Sequence, residues 1–432
     1  MENSLHNPTN HSLLPSWNLL PSYNSTSPST NSSRRSCCKW IGIVCNVFGS
    51  VTEINLTSSN LKGTLQYFNF SSFPNLLAFV LTNNSLYGSI PPQISNLSTL
   101  TNLNLGWNQL SGNIPFEIGM LVSLEVFWVH NNSLSGAIPV SIGNLSSLTF
   151  LALEENQIFG TIPKEVGQLS SLNQLYLFEN HLSGSIPSAI GNLSKLSYLD
   201  LSTNNITGSI PKEVGQLSSL MLLHLYENHL SGSIPSSIGN LSKLSVLDLD
   251  DNNFIGSIPK EVGQLSSLMV LFLFTNHLNG SIPTSTGNLS NLENLGISDN
   301  SLTGNLPENI CLGGKLKRIS AYNNHFTGSI PKSLRYCNTL VRVNLKDNLL
   351  TGNISEEFGV YSNLYFMDLS NNKFGGELSG NWGKCPKLMT LNFSNNKISG
   401  TLSPELGKAI QLHTLDLSSN LLVGKIPEAL GI

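Results

Sequence analysis

Charged side chains are scarce in this sequence: Asp, Glu, Lys and Arg make up 11% of its 432 residues, and the formal net charge is −4. No basic patch dominates, so the sequence gives no indication of a DNA- or RNA-binding surface. Apolar runs are short, and none approaches the ~18 residues that a membrane-spanning helix needs. Nucleic-acid binding and membrane insertion by the chain itself are therefore not expected.

Catalytic motifs are also missing. The sequence contains no Gly-x-x-x-x-Gly-Lys, His-Glu-x-x-His or Gly-x-Ser-x-Gly pattern. Four of the nine His, at positions 181, 229, 277 and 325, follow the same repeated Asn and are spaced at multiples of 48, so they belong to a repeated template. We therefore expect no enzymatic activity and no cofactor.

Neither end carries a targeting segment. The chain opens with the polar stretch MENSLHNPTN, without the apolar region of a signal peptide, and it closes in mid-repeat with KIPEALGI. These ends predict a chain that is incomplete relative to a secreted or membrane-anchored parent, whose C-terminal anchor would be missing.

There are six cysteines. Cys37, Cys38 and Cys45 lie close together, but a zinc site needs four ligands and no His lies beside Cys45, so no metal is expected. Cys311 and Cys337 follow the Pro position of adjacent repeats, which makes a disulfide between them plausible. Cys385 lies two repeats beyond Cys337, too far for the Cα spacing that a disulfide requires.

A repeat of 24 residues runs through most of the chain. Leu recurs at every step from Leu76 to Leu412, Asn from Asn84 to Asn420 and Gly from Gly88 to Gly424. The unit reads Leu-x-x-Leu-x-Leu-x-x-Asn-x-Leu-x-Gly-x-Ile-Pro, followed by about eight residues around a further apolar position. Such periodicity is typical of a solenoid, in which each repeat buries its apolar face against its neighbours.

Each conserved place of the unit has a physical reason. The alternating Leu-x-Leu predicts a short strand with one face in the core, and the strands of successive repeats should pair in parallel. Asn can satisfy backbone groups where the chain leaves the strand, while Gly and Pro suit the turns and the irregular outer side. We predict a right-handed solenoid with a parallel sheet on its concave face and short 3₁₀ or irregular segments on its convex face.

Sixteen Asn-x-Ser/Thr sequons are present. Five share an Asn-Leu-Ser context and recur every 48 residues, which places them at one angular position that should face solvent: Asn96, Asn144, Asn192, Asn240 and Asn288. These five are the predicted glycosylation sites.

The repeat unit resembles the plant-type leucine-rich repeat over residues 51–432. Trp17 and the segment from Cys38 to Cys45 resemble the N-terminal cap of plant receptor-like kinases, and the stretch from Asn69 to Leu76 looks like a subgroup that includes receptors for secreted serine-containing peptides. The resemblance implies a partial cap at 1–50 with a Cys38–Cys45 disulfide, and a solenoid of sixteen repeats at 51–432, the last incomplete.

The resemblance further implies a plasma-membrane receptor with an extracellular solenoid, a transmembrane helix and a kinase. This sequence shows no signal peptide, first cap helix, membrane span or kinase motif, and secretion of the chain itself therefore stays open. Some such receptors hold a peptide's C-terminus with an Arg-x-Arg pair on one strand, a pattern that no repeat contains.

We call each Leu-x-x-Leu-x-Leu-x-x-Asn segment a rung and count its places from the first Leu. Places two, three, five, seven and eight avoid the core and should line the concave surface. Large aromatic residues cluster there, and such clusters tend to mark binding surfaces: Trp107, Trp128, Phe150, Tyr176, Phe178, Tyr198, Tyr226, Phe272 and Phe274. Ring stacking that only stiffens the sheet is the alternative.

Charge on this surface is segregated. Between Leu148 and Asn252 this surface carries eight acids and a single ionisable base, His224. The acids are Glu154, Glu155, Glu179, Asp200, Glu227, Asp248, Asp250 and Asp251. Further on, Arg318 and Arg342 occupy the same place of adjacent rungs beside Lys317 and Lys346, opposed by Asp347 alone. Like charges in register repel, so a bound anion could relieve this pair, although solvation with counterions remains equally open.

Three functions fit these patterns. The first is the ligand-binding part of a receptor-like kinase that senses a short secreted peptide and pairs with a shorter leucine-rich repeat co-receptor kinase. The second is a soluble protein-binding inhibitor similar to plant polygalacturonase inhibitors, which have fewer repeats. The third is a non-functional receptor fragment.

Overall fold

The computed structural model describes residues 5–6 and 37–430. These residues fall into two compact units, divided between Ile206 and Thr207. Trp17 and most of the predicted cap lie outside the described residues. The predicted solenoid of 24-residue repeats is confirmed within each unit. No helix among the described residues is long and apolar enough to cross a membrane.

The strand of each rung pairs with the strands of its neighbours. In the first unit the pairing is parallel except between the first two strands, which are antiparallel. These strands are Ile43–Cys45, Val51–Asn55, Ala78–Val80, Asn102–Asn104, Val126–Trp128, Phe150–Ala152, Gln174–Tyr176 and Tyr198–Asp200.

The second unit repeats the arrangement with every pair parallel. Its strands are Leu222–His224, Val246–Asp248, Val270–Phe272, Asn294–Gly296, Arg318–Ser320, Arg342–Asn344, Phe366–Asp368, Thr390–Asn392 and Thr414–Asp416. Between most neighbours the register advances by a full repeat, as in Phe150 opposite Gln174, so side chains at the same place of successive rungs form columns.

A second row of short strands follows the repeated Asn, a feature that the sequence did not predict. In the first unit they are Lys62–Gly63, Ser85–Gly88, Gln109–Asn113, Ser133–Ser135, Phe159–Thr161 and His181–Ser183. The strand Leu5–His6 precedes the repeats and pairs antiparallel with Lys62–Gly63. In the second they are Thr207–Gly208, His229–Gly232, Asn253–Gly256, His277–Ser281, Ser301–Gly304, His325–Phe326, Ser399–Gly400 and Leu421–Leu422.

Short 3₁₀ turns complete most repeats, as expected for the irregular side. They span Cys37–Lys39, Phe70–Ser72, Pro92–Asn96, Phe116–Met120, Val140–Asn144, Lys164–Gln168 and Ser188–Asn192, then Lys212–Gln216, Ser236–Asn240, Lys260–Gln264, Thr284–Asn288, Gly380–Lys384, Pro404–Lys408 and Glu428–Leu430. Two repeats carry a single α-helical turn instead, Lys332–Arg335 and Ile354–Glu357.

The core consists of the repeated apolar residues. In the repeat that begins at Leu148, seven of them are at most 4% exposed: Leu148, Leu151, Leu153, Ile158, Ile162, Val166 and Leu169. Each is covered by the equivalent side chains of the adjacent repeats, so a single repeat could not bury them alone.

The repeated Asn fastens each rung to the one before it. Asn156 Oδ1 accepts a hydrogen bond of 2.9 Å from the Leu134 backbone N–H, and its Nδ2 lies 3.1 Å from the carbonyl oxygens of Leu153 and Glu154 and 3.2 Å from that of Val129. The predicted role of Asn at the point where the chain leaves the strand is therefore confirmed.

The residue before each of these Asn has a left-handed backbone, whatever its side chain. Its φ is 54° at Trp107, 54° at Glu155 and 46° at Asp251. Left-handed φ is uncommon for residues other than Gly. The backbone conformation at the eighth place is therefore imposed by the turn that the Asn hydrogen bonds stabilise, and not by the residue that stands there. Gly136, with φ of 76°, serves the next turn of its repeat.

Removal of one repeated Asn should weaken the unit well beyond the loss of a surface contact. We expect Asn156→Ala to lower the free energy of unfolding by about 2–4 kcal/mol, because it leaves buried backbone groups of two rungs unpaired. The measurement is urea unfolding, with the exposed neighbour Gln157→Ala as the matched control. A loss no larger than that of the control would contradict the role of the Asn.

Candidate ligand-binding face

We call the outward side of each unit's parallel sheet the strand face. It carries places two, three, five, seven and eight of every rung. Trp128, Ala152 and Tyr176 are partners at the fifth place of three successive rungs. Neighbouring strands lie about 4.8 Å apart, so side chains in one column can touch.

In the first unit the aromatic side chains form a continuous series of ring contacts. The centroid of Trp128 lies 5.1 Å from that of His130 and 5.2 Å from that of Phe150. Phe150 in turn lies 5.6 Å from Tyr176, which meets Phe178 edge-on at 6.4 Å. These separations are typical of favourable aromatic pairs.

Two further aromatic residues extend this surface of the first unit. Trp107 is 51% exposed and meets His130 edge-on at a centroid distance of 6.0 Å. Tyr198 is half-buried and lies opposite Gln174 on the adjacent strand. Most of the rings thus keep part of their surface exposed while they support one another.

The second unit carries two separate aromatic pairs. His224 and Tyr226 lie 5.7 Å apart, and Phe272 and Phe274 lie 5.6 Å apart. The two Phe rings extend over Gly296, where an added Cβ would come within 3.0 Å of both. A larger residue at that position would displace the rings.

Aromatic stacking that only stiffens the sheet requires ring contacts between neighbouring rungs. Trp128–Phe150 and Phe150–Tyr176 do join neighbouring rungs. The pairs in the second unit lie within single rungs and join none. Stiffening therefore accounts for part of the first unit, and the half-exposed rings elsewhere need another explanation.

Two acids of the first unit are buried, although the sequence predicted them on the exposed surface. Glu154 and Asp200 are each 8% exposed. Burial is the main cause that raises the pKa of Glu154 to about 7, and the charges of Glu155 and Asp200 add to the effect. Asp200 accepts hydrogen bonds from the backbone N–H and hydroxyl of Ser202 at 3.0 and 2.6 Å.

The acids of the second unit show the same departure. Asp250 is 7% exposed, whereas Asp248 is half-buried. Burial, followed by the hydrogen bond and negative charge of Asp248 and the charge of Asp251, raises the pKa of Asp250 to about 9. The strand face is therefore less negative at neutral pH than the count of eight acids predicted, because Asp250, which was counted as charged, is largely protonated.

The basic residues of the second unit have partners within the protein. Arg318 donates to Asn294 at 3.3 Å on the preceding rung, while the Arg342 guanidinium lies 3.7 Å from the ring centroid of Phe366 on the following rung. The two guanidinium groups therefore point in opposite directions, and an anion is not needed to relieve their repulsion.

The two Lys residues of this region are also engaged. Lys317 forms an ion pair of 2.6 Å with Glu293, an acid that the sequence analysis did not count, and Lys346 lies 3.9 Å from Asp347. Asp347 is therefore not the only acid that opposes this basic group, contrary to the expectation.

The cysteines form two disulfides. They join Cys38 to Cys45 and Cys311 to Cys337, with Cα separations of 5.6 and 6.0 Å. Cys37 and Cys385 are free. The sulfur atoms of Cys37, Cys38 and Cys45 lie within 4.8 Å of one another, but the disulfide occupies two of them and leaves a single thiol. This set does not fit a metal ion.

The five predicted glycosylation sites have exposed side chains and end 3₁₀ turns in both units. Asn96, Asn144 and Asn192 belong to the first unit, and Asn240 and Asn288 to the second. Their position satisfies the accessibility that glycosylation requires, and modification of these residues remains a prediction.

One residue of the strand face was missed. His130 occupies the seventh place of its rung and is 8% exposed. Its ring fills the space beside Gly106, where an added Cβ would lie 2.4 Å from His130 Cε1. The signal in the sequence was the Gly at the seventh place of the preceding rung, which leaves room for a large neighbour.

The raised pKa of Glu154 gives a testable pH dependence. Its folded value, about 7, exceeds the ordinary value of 4.5, so the stability it contributes is present below pH 4.5 and is lost as the pH rises through 7. Glu154→Gln cannot ionise. We expect its gain in unfolding free energy over wild type to be larger at pH 8 than at pH 5, by on the order of 2–3 kcal/mol.

The measurement is the difference between wild type and variant in thermal or urea unfolding at the two pH values. Glu125→Gln, at an exposed place of the neighbouring rung, is the control. An identical pH dependence in wild type and the Glu154 variant would show that burial does not hold the proton on this carboxyl.

Comparison with known proteins agrees with this architecture. The family model described as Leucine Rich Repeat matches eleven segments that together cover more than half of the chain: 99–121, 123–145, 171–193, 195–217, 219–241, 243–265, 291–312, 315–337, 363–385, 387–409 and 411–431. A curated relative, the leucine-rich repeat receptor-like serine/threonine-protein kinase RGI4 of Arabidopsis thaliana, is 42% identical over 81 residues, which are 19% of this chain and 7% of that protein.

Two solved structures are similar over most of the chain. The plant peptide hormone receptor RGFR1, in complex with RGF2, has a TM-score of 0.81 and 34% identity, and the match covers 84% of this chain and 58% of that one. The Arabidopsis receptor kinase HAESA, in complex with the peptide hormone IDA and the co-receptor SERK1, has a TM-score of 0.77 and 30% identity, and the match covers 99% of this chain and 78% of that one. The chain therefore belongs to the leucine-rich repeat family and, within it, to the ectodomains of plant receptor-like kinases.

Proposed function

We propose that this chain is the extracellular, ligand-binding part of a receptor-like kinase, and that it binds a short secreted peptide on its strand face. The observation that carries the proposal is the set of strand-face rings that stiffening does not explain. Trp107 is 51% exposed, and the pairs His224–Tyr226 and Phe272–Phe274 each lie within a single rung. Large aromatic side chains of this kind supply most of the affinity in many protein interfaces. The matched HAESA structure holds a peptide hormone, which supports the same class of ligand here.

The residues that we assign to ligand contact are those of the strand face. In the first unit they are Trp128, Glu154, Tyr176, Phe178, Tyr198 and Asp200. In the second they are His224, Tyr226, Asp248, Asp250, Phe272 and Phe274, with Arg318 and Arg342 nearer its end. The buried acids of both sets would act by hydrogen bonding more than by charge, since burial raises the pKa of Glu154 and Asp250.

We infer that a second, shorter leucine-rich repeat kinase is the partner in signalling. The support is the HAESA complex, which contains the co-receptor SERK1. An extracellular position at the plasma membrane is part of this proposal. Its support is the similarity to receptor-kinase ectodomains and the disulfides, which suit an oxidising compartment. Catalysis would belong to a kinase domain, because the repeat fold described here serves binding.

The peptide-binding proposal can be tested without a known ligand. Peptides selected from a random display library on the whole chain should lose at least tenfold in affinity when Phe178 or Tyr226 is changed to Ala, since each ring would lose a packed contact of about 1.4 kcal/mol or more. Asp248→Ala should weaken any peptide that donates hydrogen bonds to this acid. Isothermal titration calorimetry gives the affinities.

The controls are exposed aromatic residues away from the strand face. Phe116→Ala in a 3₁₀ turn of the first unit and Tyr336→Ala in the second remove rings that are 61% and 75% exposed. Both should leave the affinity unchanged. Selected peptides that tolerate all three strand-face variants but not the controls would overturn the proposal.

A further inference from the structure

Buried polar atoms without a partner are concentrated in one part of the first unit. Five such side-chain atoms occur among its described residues, and all belong to the strand face of four successive rungs, from Leu76 to Asn156. They are Thr82 Oγ1, Asn102 Oδ1, Trp128 Nε1, His130 Nδ1 and Glu154 Oε2. Buried polar groups are nearly always hydrogen-bonded in folded proteins, so a group of them on a binding face indicates a place for a ligand.

Three of these atoms lie on adjacent places. Trp128 and His130 occupy the fifth and seventh places of one rung, and Glu154 occupies the seventh place of the next. The backbone N–H of Asn131 bonds to the Glu154 carbonyl at 3.1 Å, which fixes the two rungs side by side. Glu154 and His130 are each only 8% exposed. We call these three residues, with the rings of Phe150 and Tyr176, the Trp128–Glu154 subsite.

Aromatic rings form the walls of this subsite. Ala152 lies between Trp128 and Tyr176 in the fifth-place column, and its small side chain is fully buried. Phe150 contacts both flanking rings, at 5.2 and 5.6 Å. A ligand group that reaches the unpartnered atoms must therefore pack against flat apolar surfaces.

The unpartnered atoms also limit the charge of that group. The indole N–H of Trp128 can only donate, whereas a carboxyl oxygen of Glu154 accepts, and a neutral His offers one donor and one acceptor. A cation would find no acceptor at the indole, and an anion would lose its water with no cation among the three residues to pair with it. Burial raises the pKa of Glu154 to about 7 and lowers that of His130, so burial favours the uncharged form of both groups.

A carboxamide satisfies all of these conditions. It is uncharged, carries donors on nitrogen and an acceptor oxygen at opposite sides of one plane, and can stack that plane on an aromatic ring. A hydroxyl is also uncharged, but it is not planar and offers a single donor. The unpartnered atoms include a donor at Trp128 and an acceptor at Glu154, and one amide carries the complement of both.

We propose that the Trp128–Glu154 subsite binds a carboxamide side chain, Asn or Gln, of the ligand. This assignment rests on the proposed peptide binding at the strand face and names the chemistry of one position of that peptide. The amide oxygen accepts from the Trp128 indole, and the amide nitrogen donates to Glu154.

Small blocked amino acids test the subsite directly. N-acetyl-glutaminamide, N-acetyl-methioninamide, N-acetyl-glutamic acid amide, N-acetyl-lysinamide and N-acetyl-serinamide share one backbone and differ only in the side chain. Binding to the whole chain at pH 6.5 is followed by saturation-transfer NMR and by Trp fluorescence. The glutamine probe should bind at least fivefold more tightly than each of the others.

Variants assign that preference to the subsite. Glu154→Leu should abolish it, whereas Glu125→Leu, which removes an exposed acid one rung away, should preserve it. Trp128→Phe keeps a ring and loses the indole N–H, so it should reduce the preference at least threefold. Circular dichroism and the unfolding midpoint of each variant show whether the repeats remain folded.

Several results would overturn the carboxamide assignment. They are equal affinity for the glutamine and methionine probes, tighter binding of the lysine, glutamate or serine probe, and no detectable binding of the glutamine probe at its solubility limit. None of these results bears on whether longer peptides bind the strand face, which the display experiment decides separately. A failure here is therefore distinguishable from a failure of the proposed function.

Discussion

The hydrogen bonds of the repeated Asn are the constraint on which the rest of the structure depends. A strand three residues long has few bonds of its own, and the chain must leave it at once for a turn with a left-handed residue. The carboxamide of Asn156 or Asn180 meets backbone groups of its own rung and of the rung before it at that point. Every rung is thereby held in register, and the remaining places of the strand are free to vary.

This freedom explains how one template can carry a specific surface. Substitution at the fifth or seventh place of a rung leaves the Leu core and the Asn bonds intact. Where a rung has Gly at such a place, as at Gly106 and Gly296, a large ring of the adjacent rung takes up the space. The shape of the strand face therefore depends on pairs of neighbouring rungs, because a small residue on one rung makes room for a large residue on the next.

The repeat architecture could be predicted from the sequence because period, Leu spacing and Asn position report the same geometry many times over. The second row of strands was missed, since its Asn-x-Leu-x-Gly pattern is too short to indicate pairing. The strand face was predicted place by place, but not the burial of Glu154, Asp200 and Asp250. Burial of a side chain depends on the size of its neighbours in adjacent rungs, which the place within a rung does not reveal. The opposed directions of Arg318 and Arg342 likewise depend on Asn294 and Phe366, one rung away on either side.

The central claim is that the variable places of the strand face bind a peptide. A crystal structure of the chain with a peptide selected on it tests this claim most directly. We predict extended peptide density against the rings of Trp128, Phe150 and Tyr176 in the first unit. Density confined to the 3₁₀ turns, with those rings as exposed as in the free chain, would contradict it.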